Sequence, residues 1–125
     1  MVQHILVAED EVDIRELLRL ALSGAGYEVE TAPDGGAALE QARARPPSLV
    51  VTDLRMPRVN GLELIRRLRA EPSLGGVPVI LFTAYVSTDP GVAEARRLEH
   101  VEVVTKGSIA ELRRAVARIL EEGTS

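Results

Sequence analysis

The chain has 125 residues, a net charge of −4 at neutral pH, no cysteine and only 2% aromatic residues. This is the length of one domain, built on an aliphatic core. Disulfides, cysteine-ligated zinc and thiol catalysis are excluded, and neither base stacking nor general phosphate-backbone binding is expected.

In chain order, the first element is an apolar, β-branched run over residues 4–8, which stops at the acid pair Glu9-Asp10. Ile14, Leu17, Leu18, Ala21 and Leu22 then follow the i, i+3, i+4, i+7, i+8 spacing of one helical stripe, which Gly24 to Gly26 should end. Residues 27–31 alternate apolar and polar, the pattern of a strand near the edge of a sheet. Asp34 is placed to cap a second helix through Ala38, Leu39 and Ala42, stopped by Pro46-Pro47. A buried strand over 49–52 leads into Asp53. Leu62, Ile65 and Leu68 mark a third helix, ended before Pro72.

The fourth strand, 77–82, precedes Thr83-Ala84. Asp89-Pro90, a cap followed by proline at the first helical position, opens a short fourth helix whose apolar anchors are Val92, Ala93 and Leu98. The fifth strand, 101–105, ends at Lys106, the only lysine in the chain. Ser108 to Glu111 is a capping box for a fifth helix, with Ile109, Leu112, Val116, Ile119 and Leu120 inward and a frayed tail over 121–125. Five βα units call for an α/β fold, a parallel sheet covered by helices on both faces. The N-terminus lacks a basic region, and no apolar run nears the roughly 20 residues that span a bilayer. A cytoplasmic protein without membrane contact is expected.

In open α/β sheets, ligands bind beyond the carboxyl ends of the strands. Those ends carry Glu9, Asp10, Asp53, Thr83 and Lys106. Three clustered acids repel one another and raise at least one pKa, so a cation belongs among them. Oxygen-only donors suit Mg²⁺ or Mn²⁺. Lys106 supplies a compact ammonium where an arginine fork would be bulkier.

With these residues in place, the chain resembles the receiver domains of response regulators along essentially its whole length. Glu9-Asp10 is similar to the family's acid pair. Asp53-Leu54-Arg55-Met56-Pro57 with Asn60-Gly61 resembles its phosphoacceptor segment, Thr83-Ala84 its switch hydroxyl and small neighbour, and Lys106 its lysine. The resemblance implies a flavodoxin-like doubly wound sheet in the order 2-1-3-4-5 with five helices. It implies that Asp53 accepts a phosphoryl group from a sensor histidine kinase or a histidine phosphotransfer protein. Asp10, Asp53 and the Arg55 carbonyl would bind the metal directly, Glu9 through water, while Thr83 and Lys106 hold phosphoryl oxygens. Arg55, Ala84, Tyr85 and Val103 would tune hydrolysis or output.

Three positions depart from the family pattern: Glu9 replaces an aspartate, Gly107 a proline, and Val103 an aromatic switch residue. With Val103 too short to swing, output is expected through the fourth helix and its preceding loop, with Tyr85 moving in place of the ring. The expected function is a phosphorylation-dependent signalling switch that catalyses only its own phosphoryl transfer and slow dephosphorylation. Its partners would be the phosphodonor and a downstream protein at the fourth-helix face, with no direct nucleic-acid binding. The alternative is a degenerate receiver that binds a partner without phosphorylation. An aspartyl-phosphate hydrolase would carry its nucleophile after the first strand, in an Asp-x-Asp segment that Glu9-Asp10-Glu11 does not supply. Both a stand-alone receiver and part of a longer regulator fit the sequence.

Overall fold

The computed structural model describes residues 2–84 and 89–124. Five parallel strands, β1 (His4–Ala8), β2 (Glu28–Ala32), β3 (Leu49–Thr52), β4 (Val79–Thr83) and β5 (Val101–Thr105), lie in the order β2-β1-β3-β4-β5. Five helices connect and follow them: α1 (Val12–Gly24), α2 (Gly35–Ala44), α3 (Gly61–Ala70), α4 (Pro90–Ala95) and α5 (Ile109–Thr124). This is the expected doubly wound architecture.

Strand alternation divides the core in two, because successive side chains point to opposite faces. Ile5 and Val7 of β1 face Leu18 and Leu22 of α1 and Leu112, Val116 and Leu120 of α5. Leu6 and Ala8 face Leu39, Leu64, Ile65 and Leu68 of α2 and α3, with Val92 and Ala95 of α4. The central strands β1, β3 and β4 are buried along their whole length, whereas β2 at the edge is largely half-buried.

Local chemistry sets the boundaries. α1 ends where Gly26 adopts a left-handed φ of +98° and donates to Ser23 O at 3.0 Å. Tyr27 N–H is drawn into the same turn, onto Leu22 O at 3.3 Å, so β2 starts one residue later than expected. β4 likewise starts at Val79, because Pro78 has no N–H for the ladder and Val77 N–H is turned onto Leu74 O. Asp34 caps α2 through the Ala37 N–H at 2.8 Å, Asn60 caps α3 through Glu63 at 2.9 Å, and Ser108 Oγ accepts from Glu111 at 3.1 Å.

Two expectations are corrected. Leu17 is 50% exposed, not part of the inward stripe; consecutive helical residues are about 100° apart, so a face centred on Leu18 and Leu22 turns Leu17 outward. Ala93 is exposed on α4, and Ala95, three residues from Val92, takes the inward place. The fifth helix is described through Thr124, with Leu120 buried in the core.

Candidate functional site

The site forms at the carboxyl edge of the sheet, where β1, β3, β4 and β5 end side by side. Parallel pairing sets Ala8 opposite Thr52 and Thr83 opposite Thr105, so the residues that follow converge. The ladder continues into the site: Asp53 N–H donates to Ala8 O at 3.2 Å, Glu9 N–H to Ala32 O at 3.0 Å and Lys106 N–H to Thr83 O at 2.9 Å. Thr52 Oγ1 donates to Asp53 O at 2.9 Å from a buried position. The acceptor candidate therefore stands on backbone fixed by β1 and by the hydroxyl of the residue before it.

Glu9, Asp10 and Asp53 each place a carboxylate oxygen within 4.8 Å of the others. Lys106 Nζ bridges two of them, at 2.7 Å from Glu9 Oε1 and 2.7 Å from Asp53 Oδ2. The Glu9 side chain is 1% exposed and Asp53's 11%, while Asp10 is open to solvent. Burial pushes the Glu9 carboxyl up from 4.5 to about 7; the hydrogen bond from Lys106 works against that rise, and the charges of Asp53 and Asp10 add to it. Repulsion among the acids is thus real but secondary to burial. Burial opposes the charge of Lys106 too, yet its hydrogen bonds to Asp53 and Glu9 outweigh this and hold the ammonium above its ordinary pKa.

Three carboxylates with one ammonium leave an excess of negative charge in a partly dry cleft. An all-oxygen donor set at this spacing fits a hard divalent cation such as Mg²⁺. Asp10 and Asp53 would hold it, with the Arg55 carbonyl two residues beyond. Glu9 is engaged with Lys106 and with the Asp10 N–H at 3.1 Å. Arg15 adds a contact that the sequence alone did not flag, from its guanidinium to Glu9 O at 3.0 Å.

Thr83 is fully buried and joins the site through its backbone bond to Lys106. Ala84 is exposed, Val103 is half-buried against the α2–α4 side of the core, and Tyr85 lies outside the described residues. The Arg55 N–H donates to Asp53 Oδ1 at 3.4 Å, and its guanidinium reaches Asp89 at 3.0 Å. That partner has no sequence signal: Asp89 is legible as a helix cap, not as the mate of a residue 34 positions earlier. The peptide bonds are all trans among the described residues, Lys106–Gly107 included. Gly61 permits this close approach, since a Cβ on it would lie 2.3 Å from Asp53 O. No helix among the described residues is long and apolar enough to cross a membrane.

The family model for the response regulator receiver domain matches residues 5–117. The response regulator MprA of Mycolicibacterium vanbaalenii is 42% identical over 90 residues, 72% of this chain and 38% of that protein. The DNA-binding response regulator MtrA of Mycolicibacterium paratuberculosis is 39% identical over 88 residues, 70% of this chain and 38% of that protein, so the match spans well under half of such relatives. Among solved structures, the receiver domain of a signal transduction histidine kinase from Syntrophus aciditrophicus superposes with a TM-score of 0.87 at 30% identity, covering 97% of this chain and 92% of that one.

Proposed function

The chain belongs to the response regulator receiver domain family, and from that membership we propose that it is a phosphorylation-dependent signalling switch with Asp53 as acceptor. The observation that carries this reading is the Asp53 carboxylate, held at a strand end with Lys106 Nζ at 2.7 Å and two further carboxylates within 4.8 Å.

In the transfer, an Asp53 oxygen attacks the phosphorus of a phosphohistidine. The new O–P bond forms as the P–N bond breaks, and the imidazole leaves with the electron pair. Lys106 gives up part of its hold on Asp53 and donates to a phosphoryl oxygen, where its charge meets the charge that develops. Thr83 supplies a hydroxyl at the neighbouring strand end. Mg²⁺, when bound, would neutralise charge shared between the carboxylates and the phosphoryl oxygens. Release reverses the attachment: water attacks phosphorus, and Asp53 returns as a carboxylate. The domain catalyses only its own gain and loss of phosphate.

The phosphodonor is a sensor histidine kinase or histidine phosphotransfer protein in the cytoplasm, and the downstream protein meets the α4 face. A net charge of −4 disfavours a direct grip on nucleic acid; the DNA binding named for MtrA belongs to that longer protein. A small phosphodonor with Mg²⁺ should add one phosphoryl group by intact mass, and Asp53→Asn should remove it while the fold survives. A folded wild type that stays unmodified favours the alternative suggested by Val103 and Gly107, a receiver that binds its partner without phosphate.

A further inference from the structure

Arg55 stands two residues after Asp53, and its guanidinium reaches Asp89 at 3.0 Å. Asp89 is the N-cap of α4: its Oδ1 accepts the Gly91 N–H at 2.8 Å while Oδ2 takes Arg55. One carboxylate therefore both starts the helix and ties it to the acceptor loop. The Asp89 side chain is 13% exposed and that of Arg55 64%, so the arginine has room to swing and the aspartate does not. A second contact joins the same segments. The Leu54 methyl carbons lie 3.3 Å from where a Gly91 Cβ would sit, so glycine lets α4 settle this closely on the loop. Further along, arginines again hold α4 and the turn after it: Arg66 pairs with Glu94, and Arg69 donates to Glu99 O and His100 O. Only Val92 and Ala95 of α4 are buried. Two ion pairs, at Asp89 and Glu94, therefore supplement the two buried side chains in positioning α4.

The geometry points to Asp89 as the competitor of the phosphoryl group for Arg55, an inference that rests on the reading of Asp53 as acceptor. A phosphoryl group brings nearly two negative charges and three acceptor oxygens. A planar guanidinium engages such an oxyanion in bidentate fashion, at least as well as a single carboxylate. When Asp53 carries phosphate, Arg55 transfers to it. Asp89 keeps its cap on α4 but loses its countercharge, and the start of α4 loosens from residues 54 and 55. The coupling is reciprocal: weakening the Arg55–Asp89 pair strengthens the hold of Arg55 on phosphate.

Asp89→Asn isolates the effect, because asparagine caps a helix as well as aspartate does but carries no charge. Wild type, Asp89→Asn, Arg55→Ala and the double variant are titrated with beryllofluoride and Mg²⁺, and amide exchange is followed over residues 90–98. Asp89→Asn should bind about two- to fivefold more tightly, the range of an exposed ion pair, and Arg55→Ala should cancel that gain. Unliganded Asp89→Asn should exchange at 90–98 more like the loaded wild type. A wild type that takes no beryllofluoride overturns the acceptor reading and this inference with it. A wild type that binds, with Asp89→Asn equal to it in affinity and exchange or with a gain that survives Arg55→Ala, overturns the competition alone.

Discussion

Glu9 is the residue whose environment most constrains the site. Its side chain is 1% exposed and its pKa is raised to about 7, chiefly by burial. A carboxyl raised on folding binds its proton more tightly in the folded state, so its effect on stability is absent below the unfolded value near 4.5 and grows as a loss through about 7. In metal-free buffer, Glu9→Gln should therefore raise the denaturation midpoint at pH 8 and leave it unchanged at pH 4; denaturant titrations at the two pH values measure this. For Mg²⁺, Asp10→Asn should weaken binding more than Glu9→Gln, because Glu9 is already committed to Lys106 and to the Asp10 N–H; a metal titration decides. Gly61→Ala should destabilise by about 1–3 kcal/mol, the usual cost of overpacking, since its methyl would meet backbone at Asp53 O and Leu54 Cα. Thermal unfolding reads that cost. These positions are legible to different degrees. Four strand ends announce Glu9, Asp10, Asp53, Thr83 and Lys106, but nothing local in the sequence announces Arg15 on Glu9 O or Asp89 on Arg55. Contacts between distant positions arise only after the chain has folded.

Element boundaries are legible where a side chain or glycine terminates the helix itself, as at Asp34, Asp89 and Gly26. They slip where a backbone N–H is taken by a turn, as at Tyr27 and Val77. Periodicity identifies α1 but assigns it too broad an inward face. Leu17 and Leu20 are 50% and 56% exposed, and Val12 at the start of the helix 64%. α1 begins two residues after Asp10, and its exposed leucines lie one to two turns farther along the helix. On the proposed reading a protein donor would rest on these exposed leucines as it reaches Asp53, whereas a small donor needs no such surface. Replacing Leu17 and Leu20 together by serine should slow transfer from a protein donor at least tenfold and leave transfer from a small phosphodonor within about twofold. Stability should change little, as for exposed positions generally. Stopped-time phosphorylation assays with both donors test the split.

Across the whole molecule, the order β2-β1-β3-β4-β5 makes the sheet a partition between two apolar compartments. Residues on opposite sides share no side-chain contacts through it, so Leu22→Ala and Leu64→Ala should add within about 0.5 kcal/mol. Two truncations on one side, such as Leu64→Ala with Leu68→Ala, should depart from their sum; denaturant midpoints of the single and double variants measure both. The same partition has a consequence for how such a domain changes over generations. The helix that borders the acids, α1, belongs to one compartment, and α4, tied to the acceptor loop by Arg55 and Asp89, belongs to the other. Substitutions that suit α1 to a new donor need not repack anything beneath α4. On the proposed reading, duplicated copies of the gene can drift apart at α1 while inheriting the α4 side unaltered, with only the row of charged groups at the sheet edge answerable to both.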